Sequence, residues 1–114
     1  MSAITTHVLD ISRGEPARGM QVTLQRLHPD QGAQSLGEGV TDHDGRLKAL
    51  LPPGASLVPG TYRLVFDTGA YFRAQNVAAF YPIVVVLFEV RDATRPHHVP
   101  LLLSPFGYST YRGS

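Results

Sequence analysis

The chain has no cysteine, so neither disulfides nor thiolate chemistry can contribute to its stability or activity. It has no basic run, and its net charge is only +1, which argues against nucleic acid or an anionic membrane as partners. It has no long apolar stretch: the longest, Ile83 to Phe88, is far too short to span a bilayer. The opening MSAITTHVLD lacks the charged and apolar segments of a secretory leader, and His7 and Asp10 come early, so a soluble, cytoplasmic protein is expected. No G-x-S-x-G elbow, P-loop, GxGxxG or HExxH occurs, which sets aside the common hydrolase and nucleotide-binding mechanisms. Internal repeats, low-complexity tracts and linkers are also missing, so a single domain over 1–114 is expected.

What is present is a period of two. The chain is 43% hydrophobic and 17% charged, with five Phe and five Tyr, enough for one packed core. In GMQVTLQRL, Met20, Val22 and Leu24 alternate with Gln21, Thr23 and Gln25; in TYRLVFD, Tyr62, Leu64 and Phe66 alternate with Thr61, Arg63 and Asp67. HPDQGAQS (28–35) reads as a hairpin tip. Asp44-Gly45 reads as the turn of a second hairpin, with arms at 36–41 and 46–50. Asp67 or Thr68 can cap one short helix running to about Asn76. The remaining short strands make the chain an all-β sandwich or barrel.

Two strands depart from simple amphipathicity. IVVVLFEV is apolar on both faces: Val84, Val86 and Phe88 on one, Ile83, Val85 and Leu87 on the other. A small sandwich covers only one face, so the second calls for another subunit. HHVPLLLSPFGYSTYR reads as two strands joined at Ser104-Pro105, with Pro100 suited to an edge or a bulge.

Alternation also sorts the chemistry-bearing residues. In ITTHVLD, Ile4, Thr6 and Val8 form a core face, which turns Thr5, His7 and Leu9 outward. Val99, Leu101 and Leu103 form another core face, with His98, Pro100, Leu102 and Ser104 opposite; Ser109 and Tyr111 alternate with Tyr108, Thr110 and Arg112. If these strands share a sheet, His7 and His98 line one outer surface with either Ser109 and Tyr111 or Arg112. Two imidazoles on one surface make a general base and an orienting partner at neutral pH. The plainer alternative is that each is simply exposed. A metal site is disfavoured: His97 and His98 point to opposite faces, and His7 with His98 lacks a third ligand. His28 and His43 fall in loops or turns and are expected to be exposed. Arg46, just after the Asp44-Gly45 turn, is either a solvated turn residue or a guanidinium aimed at a carbonyl or anion, and Arg112 carries the same two readings.

Six segments occur in order: TTHVLD, DGR, GTYRLVFDTGAYF, FYP, HVPLLLSP and the terminal YRGS. Together they resemble the 5-hydroxyisourate hydrolases, the transthyretin-related enzymes of urate breakdown, over essentially the whole chain. YRGS is the most specific element, because it separates the enzymes from the transthyretin hormone carriers. The resemblance implies an eight-stranded transthyretin-like (prealbumin-like) sandwich with one short helix. It also implies a homotetramer, a dimer of dimers around a central channel.

By resemblance, the catalytic residues are His7, Arg46, His98, Tyr111 and Arg112, and Leu102, Ser109, Gly113 and Ser114 contact a small purine-derived substrate. No metal or organic cofactor is implied. Arg112 has the wrong strand parity for the channel and would reach it only if the last residues turn; an extension past Ser114 is expected to obstruct the channel mouth. His97 stands where the family usually has Tyr. The alternatives are a non-catalytic carrier of a small hydrophobic molecule in the same channel, or a purely structural sandwich.

Overall fold

The computed structural model describes residues 4–114, so residues 1–3 of the expected domain and leaderless start lie outside the described residues. Two sheets pack face to face. The first contains β1 (Ile4–Asp10), β2 (Glu15–Pro16), β5 (Arg46–Leu47), β8 (His97–Ser104) and β9 (Gly107–Thr110), in the order β2-β1-β8-β9 with β5 also on β1. The second contains β3 (Gln21–His28), β4 (Gly32–Val40), β6 (Gly60–Phe66) and β7 (Val84–Val90), in the order β4-β3-β6-β7. The expected all-β sandwich with one helix is borne out. Among the described residues there are nine strand segments rather than the expected eight, and two of them, β2 and β5, are only two residues long.

The period-two pattern places the core where alternation put it. Met20, Val22, Leu24, Tyr62, Leu64 and Phe66 are buried from the second sheet, and Ile4, Val8, Val99, Leu101 and Leu103 from the first. Each such side chain taken out of water stabilises the sandwich by about 1.5–3 kcal/mol. Helix α1 (Thr68–Arg73) is capped by Asp67, whose carboxylate accepts from the Ala70 N–H. It ends earlier than the expected Asn76. Gln75 and Asn76 donate to the carbonyls of Phe72 and Arg73 in a tightened last turn, and Asn76 takes a left-handed φ of 58°.

Three strand expectations resolve differently. The 28–35 hairpin forms between β3 and β4. The second expected hairpin does not. Its turn is present, with Gly45 N donating to Asp42 O at 2.9 Å, but β4 belongs to the second sheet while β5 pairs with β1 in the first. The turn is a bridge between sheets, and local turn chemistry cannot say which sheet the following strand joins. Pro100 lies in a central strand, not at an edge. The β8–β9 ladder stops at Leu101↔Thr110, next to the residue that cannot donate, and resumes at an isolated bridge, His98↔Gly113. The Pro100 carbonyl accepts from Thr110 Oγ1 instead, at 2.7 Å.

β7 closes the second sheet as an edge strand. Val84 and Val86 are buried, whereas Ile83, Val85 and Leu87 are 50%, 45% and 60% exposed. No helix among the described residues is long and apolar enough to cross a membrane.

Candidate active site

Register brings the predicted residues to one surface. Along β1 burial alternates, with Ile4, Thr6, Val8 and Asp10 inward and Thr5, His7 and Leu9 outward. β8 runs parallel to β1 with Thr5 opposite His98, His7 opposite Pro100 and Leu9 opposite Leu102. β5 places Arg46 opposite His7, and β9 places Ser109 opposite Leu102. Residues opposed across a ladder project to the same face. His7, Arg46, His98, Leu102 and Ser109 therefore share the outer face of the first sheet, as expected.

Both imidazoles have fixed partners. His98 Nδ1 lies 2.8 Å from Thr5 Oγ1. His7 Nε2 lies 2.8 Å from the Asp44 carbonyl oxygen. A carbonyl can only accept, so His7 Nε2 carries the proton, and Nδ1 is the lone-pair nitrogen of the neutral ring. Burial holds the His98 pKa below its ordinary value, and the neighbouring Arg46 and then His7 act in the same direction. The Arg46 side chain makes no hydrogen bond or ion pair among the described residues, so its guanidinium is available to an incoming oxygen.

The last residues divide between two faces. Gly113 N–H donates to the His98 carbonyl at 2.8 Å. A Cβ at Gly113 would stand 2.5 Å from His98 Cδ2, so the glycine backbone lies directly against the imidazole and no larger residue fits without moving it. Tyr111 is 58% exposed, and Ser114 is also exposed. Arg112 lies elsewhere. Its Nη2 donates to Pro96 O at 3.5 Å, and it lines a groove of about 400 Å³ with Glu89, Arg91, Asp92, Arg95 and His97. The chain thus joins His7, Arg46, His98, Leu102, Ser109 and Gly113, and leaves Arg112 on the other side of the sheet, as its strand parity indicated.

The remaining histidines stay outside the site. His97 points into the opposite side, as expected, and is only 4% exposed; its pKa is lowered by burial and then by Arg112. His43 is exposed, but His28 is half-buried at the end of β3 and bonded to Gln34 Oε1, not free in a loop. Sequence reasoning missed two supporting groups. Thr5 was placed on the right face without a role, and Asp42 was not singled out at all. The signal for Asp42 was the T-D-x-D-G-R run, in which an Asp precedes a turn that Gly45 closes at φ +74°.

The wider grooves lie away from this face. The groove beside α1, about 580 Å³, is lined by Arg13, Arg18, His43, Asp67 and Tyr71 among others and includes neither active-face histidine.

Residues 4–113 match the HIUase/Transthyretin family. The chain is 50% identical over 113 residues to a probable 5-hydroxyisourate hydrolase of Caenorhabditis elegans, covering 99% of this chain and 82% of that one. The structure of a Klebsiella pneumoniae 5-hydroxyisourate hydrolase superposes with a TM-score of 0.85 at 36% identity, covering all of both chains. Sea bream transthyretin in complex with thyroxine gives a TM-score of 0.90 at 30% identity, covering 97% of this chain and 94% of that one. By family match, full-length sequence similarity and fold superposition alike, the chain belongs to the HIUase/Transthyretin family.

Proposed function

We propose that this protein hydrolyses 5-hydroxyisourate to 2-oxo-4-hydroxy-4-carboxy-5-ureidoimidazoline, a step of urate breakdown. The observation that carries the reading is the grouping of His7, His98 and Arg46 on one sheet face, with both imidazoles held by fixed partners. The C. elegans and K. pneumoniae relatives carry the hydrolase name.

In this scheme His98 is the general base. Its lowered pKa keeps it neutral at pH 7, so it takes a proton from the attacking water. The oxygen adds to the cyclic amide carbonyl, the C–N bond breaks, and the nitrogen leaves with a proton returned from the imidazole. His7 offers Nδ1 as an acceptor to a substrate N–H or O–H. Arg46 stabilises the developing oxyanion with paired N–H donors. Tyr111 and Leu102 form a slot for a planar ring, and Ser109, Gly113 and Ser114 complete its wall. Arg112 joins only if the terminal segment turns, exchanging its 3.5 Å bond to Pro96, at the edge of hydrogen-bonding distance, for a substrate oxygen. The scheme uses no metal or organic cofactor.

The active unit in this reading is a cytoplasmic homotetramer, a dimer of dimers whose central channel is lined by the outer face of the first sheet. The exposed apolar face of β7 supports association. The carrier reading has the high structural likeness to the thyroxine-bound sea bream protein in its favour. A carrier channel, however, has no use for two positioned imidazoles beside a free guanidinium.

Assays of purified His7→Ala, His98→Ala, Arg46→Ala and Arg112→Ala variants test the assignment. Each is expected to lose most 5-hydroxyisourate turnover while keeping the native circular dichroism spectrum, and near-full activity in any one would remove that residue from the scheme.

A further inference from the structure

The turn before Arg46 is built around one carboxylate. Asp42 Oδ1 accepts from the backbone N–H groups of Asp44 and Arg46, each at 2.9 Å. Asp42 N donates to Arg46 O at 2.9 Å, which closes the loop from the other side. Gly45 completes the turn at φ +74° and its carbonyl accepts from Val8 N at 2.8 Å; a Cβ there would stand 2.3 Å from the Val8 oxygen. The turn is therefore pinned to β1 beside His7. Its geometry aims the Asp44 carbonyl at His7 Nε2, 2.8 Å away.

We infer that Asp42 is a positioning residue for the reaction: by holding the Asp44 carbonyl against His7 Nε2 and the Arg46 backbone in register, it fixes the His7 tautomer and the approach of the Arg46 guanidinium. The inference rests on the hydrolase reading for its kinetic consequence, but not for its structural one. Asp42 is exposed, and its carboxylate makes its hydrogen bonds to the backbone of this loop. The hydrogen bond from Arg46 N–H is also the main cause that holds the Asp42 pKa below its ordinary value, so it stays an acceptor at neutral pH.

Two side chains could compete for the same groups. His43 Nε2 stands 3.5 Å from Asp44 Oδ2, a contact between two largely exposed groups that engages the Asp44 side chain and leaves its carbonyl free. Lys48 acts on Asp42 only through its charge. Neither supplies the second acceptor that Asp44 N and Arg46 N require. Without Asp42 these two N–H groups turn to water, and the Asp44 carbonyl is free to swing off His7.

The test compares Asp42→Ala with Asp42→Asn in the full chain. Asn keeps an acceptor oxygen at the same position, while Ala removes it. Two readouts are taken: the ¹⁵N shifts of the His7 ring in ligand-free protein, and kcat and KM for 5-hydroxyisourate. The wild type and Asp42→Asn are expected to hold His7 in the Nε2–H tautomer. Asp42→Ala is expected to show a tautomer mixture, with kcat lower by about 10²-fold, KM changed less and the thermal midpoint nearly unchanged, since ångström-scale misplacement of a reacting group costs that much. Asp42→Ala with an unshifted His7 ring and full kcat would overturn the inference, as would an Asp42→Asn variant as impaired as Asp42→Ala. If the His7 shifts follow the expected pattern but no variant turns over 5-hydroxyisourate, the clamp stands and the hydrolase reading fails.

Discussion

His98 and Gly113 face each other across the gap in the β8–β9 ladder, the glycine N–H bonded to the histidine carbonyl at 2.8 Å and its backbone against the imidazole edge. The ring is thus held from two sides, by Thr5 Oγ1 at Nδ1 and by the Gly113 backbone at Cδ2. This explains why a Gly stands between Arg112 and Ser114: its Cβ would occupy the volume of the ring.

Gly113→Ala should therefore damage activity more than stability. The new methyl must push His98 off its Thr5 bond or lift the terminal segment from the sheet. A turnover loss of about 10²-fold is expected, with a thermal midpoint close to wild type. Retention of full activity would show that the ring tolerates displacement.

Thr5→Val removes the hydroxyl at His98 Nδ1 while keeping the β-branched shape that suits a strand. The imidazole can then rotate or change tautomer. kcat is expected to fall about tenfold, less than the roughly 10²–10⁴-fold that a positioned acid–base group contributes as a whole, without loss of fold. Steady-state kinetics beside circular dichroism checks this.

The pH profile follows from His98. Its folded pKa lies below the ordinary value, first through burial and then through Arg46 and His7, so the fold disfavours the charged form. Stability from this group is fully present above the unfolded pKa of about 6.5 and is lost as pH falls from there toward the folded pKa, because the unfolded chain then binds more protons. The acid limb of the turnover profile should sit below the ordinary histidine range for the same reason. Arg46→Met removes the guanidinium charge acting on the ring, so its residual activity should show that limb moved to higher pH; a limb moved to lower pH would contradict the electrostatic coupling.

The exposed face of β7 gives a prediction about assembly. Leu87→Glu places a charge on an apolar strand face that is 60% exposed in the single chain. Sedimentation should show a smaller species than wild type with an unchanged β-sheet spectrum. An unaltered mass would mean that this face is not an interface.

Much of this arrangement was legible in the sequence, because a strand fixes which face each residue takes. Ile4, Thr6 and Val8 are buried, which alone sends His7 outward; Val99, Leu101 and Leu103 do the same for His98. The capped start of α1 was readable from Asp67, but its end was not, since Gln75 and Asn76 continue the turn without an early stop signal. The expected 36–41/46–50 hairpin failed because a turn motif specifies a reversal and not a partner: Arg46 and Leu47 found β1 instead. Pro100 suits an edge or a bulge by sequence; it lies in a central strand, and the neighbouring ladder opens around it. The Asp42 clamp was hidden because its effect on His7 passes through the Asp44 backbone, across 37 residues of separation. Arg112 was legible in parity, and its bond to Pro96 agrees with that parity.

The most direct test is spectrophotometric: the decay of freshly prepared 5-hydroxyisourate is followed with and without the purified protein, in the presence of a strong chelator. Metal-free hydrolysis by His98, His7 and Arg46 predicts a decay rate that rises in proportion to protein concentration and is indifferent to the chelator. Decay at the buffer rate would contradict the hydrolase reading, and activity abolished by the chelator would contradict its metal-free mechanism.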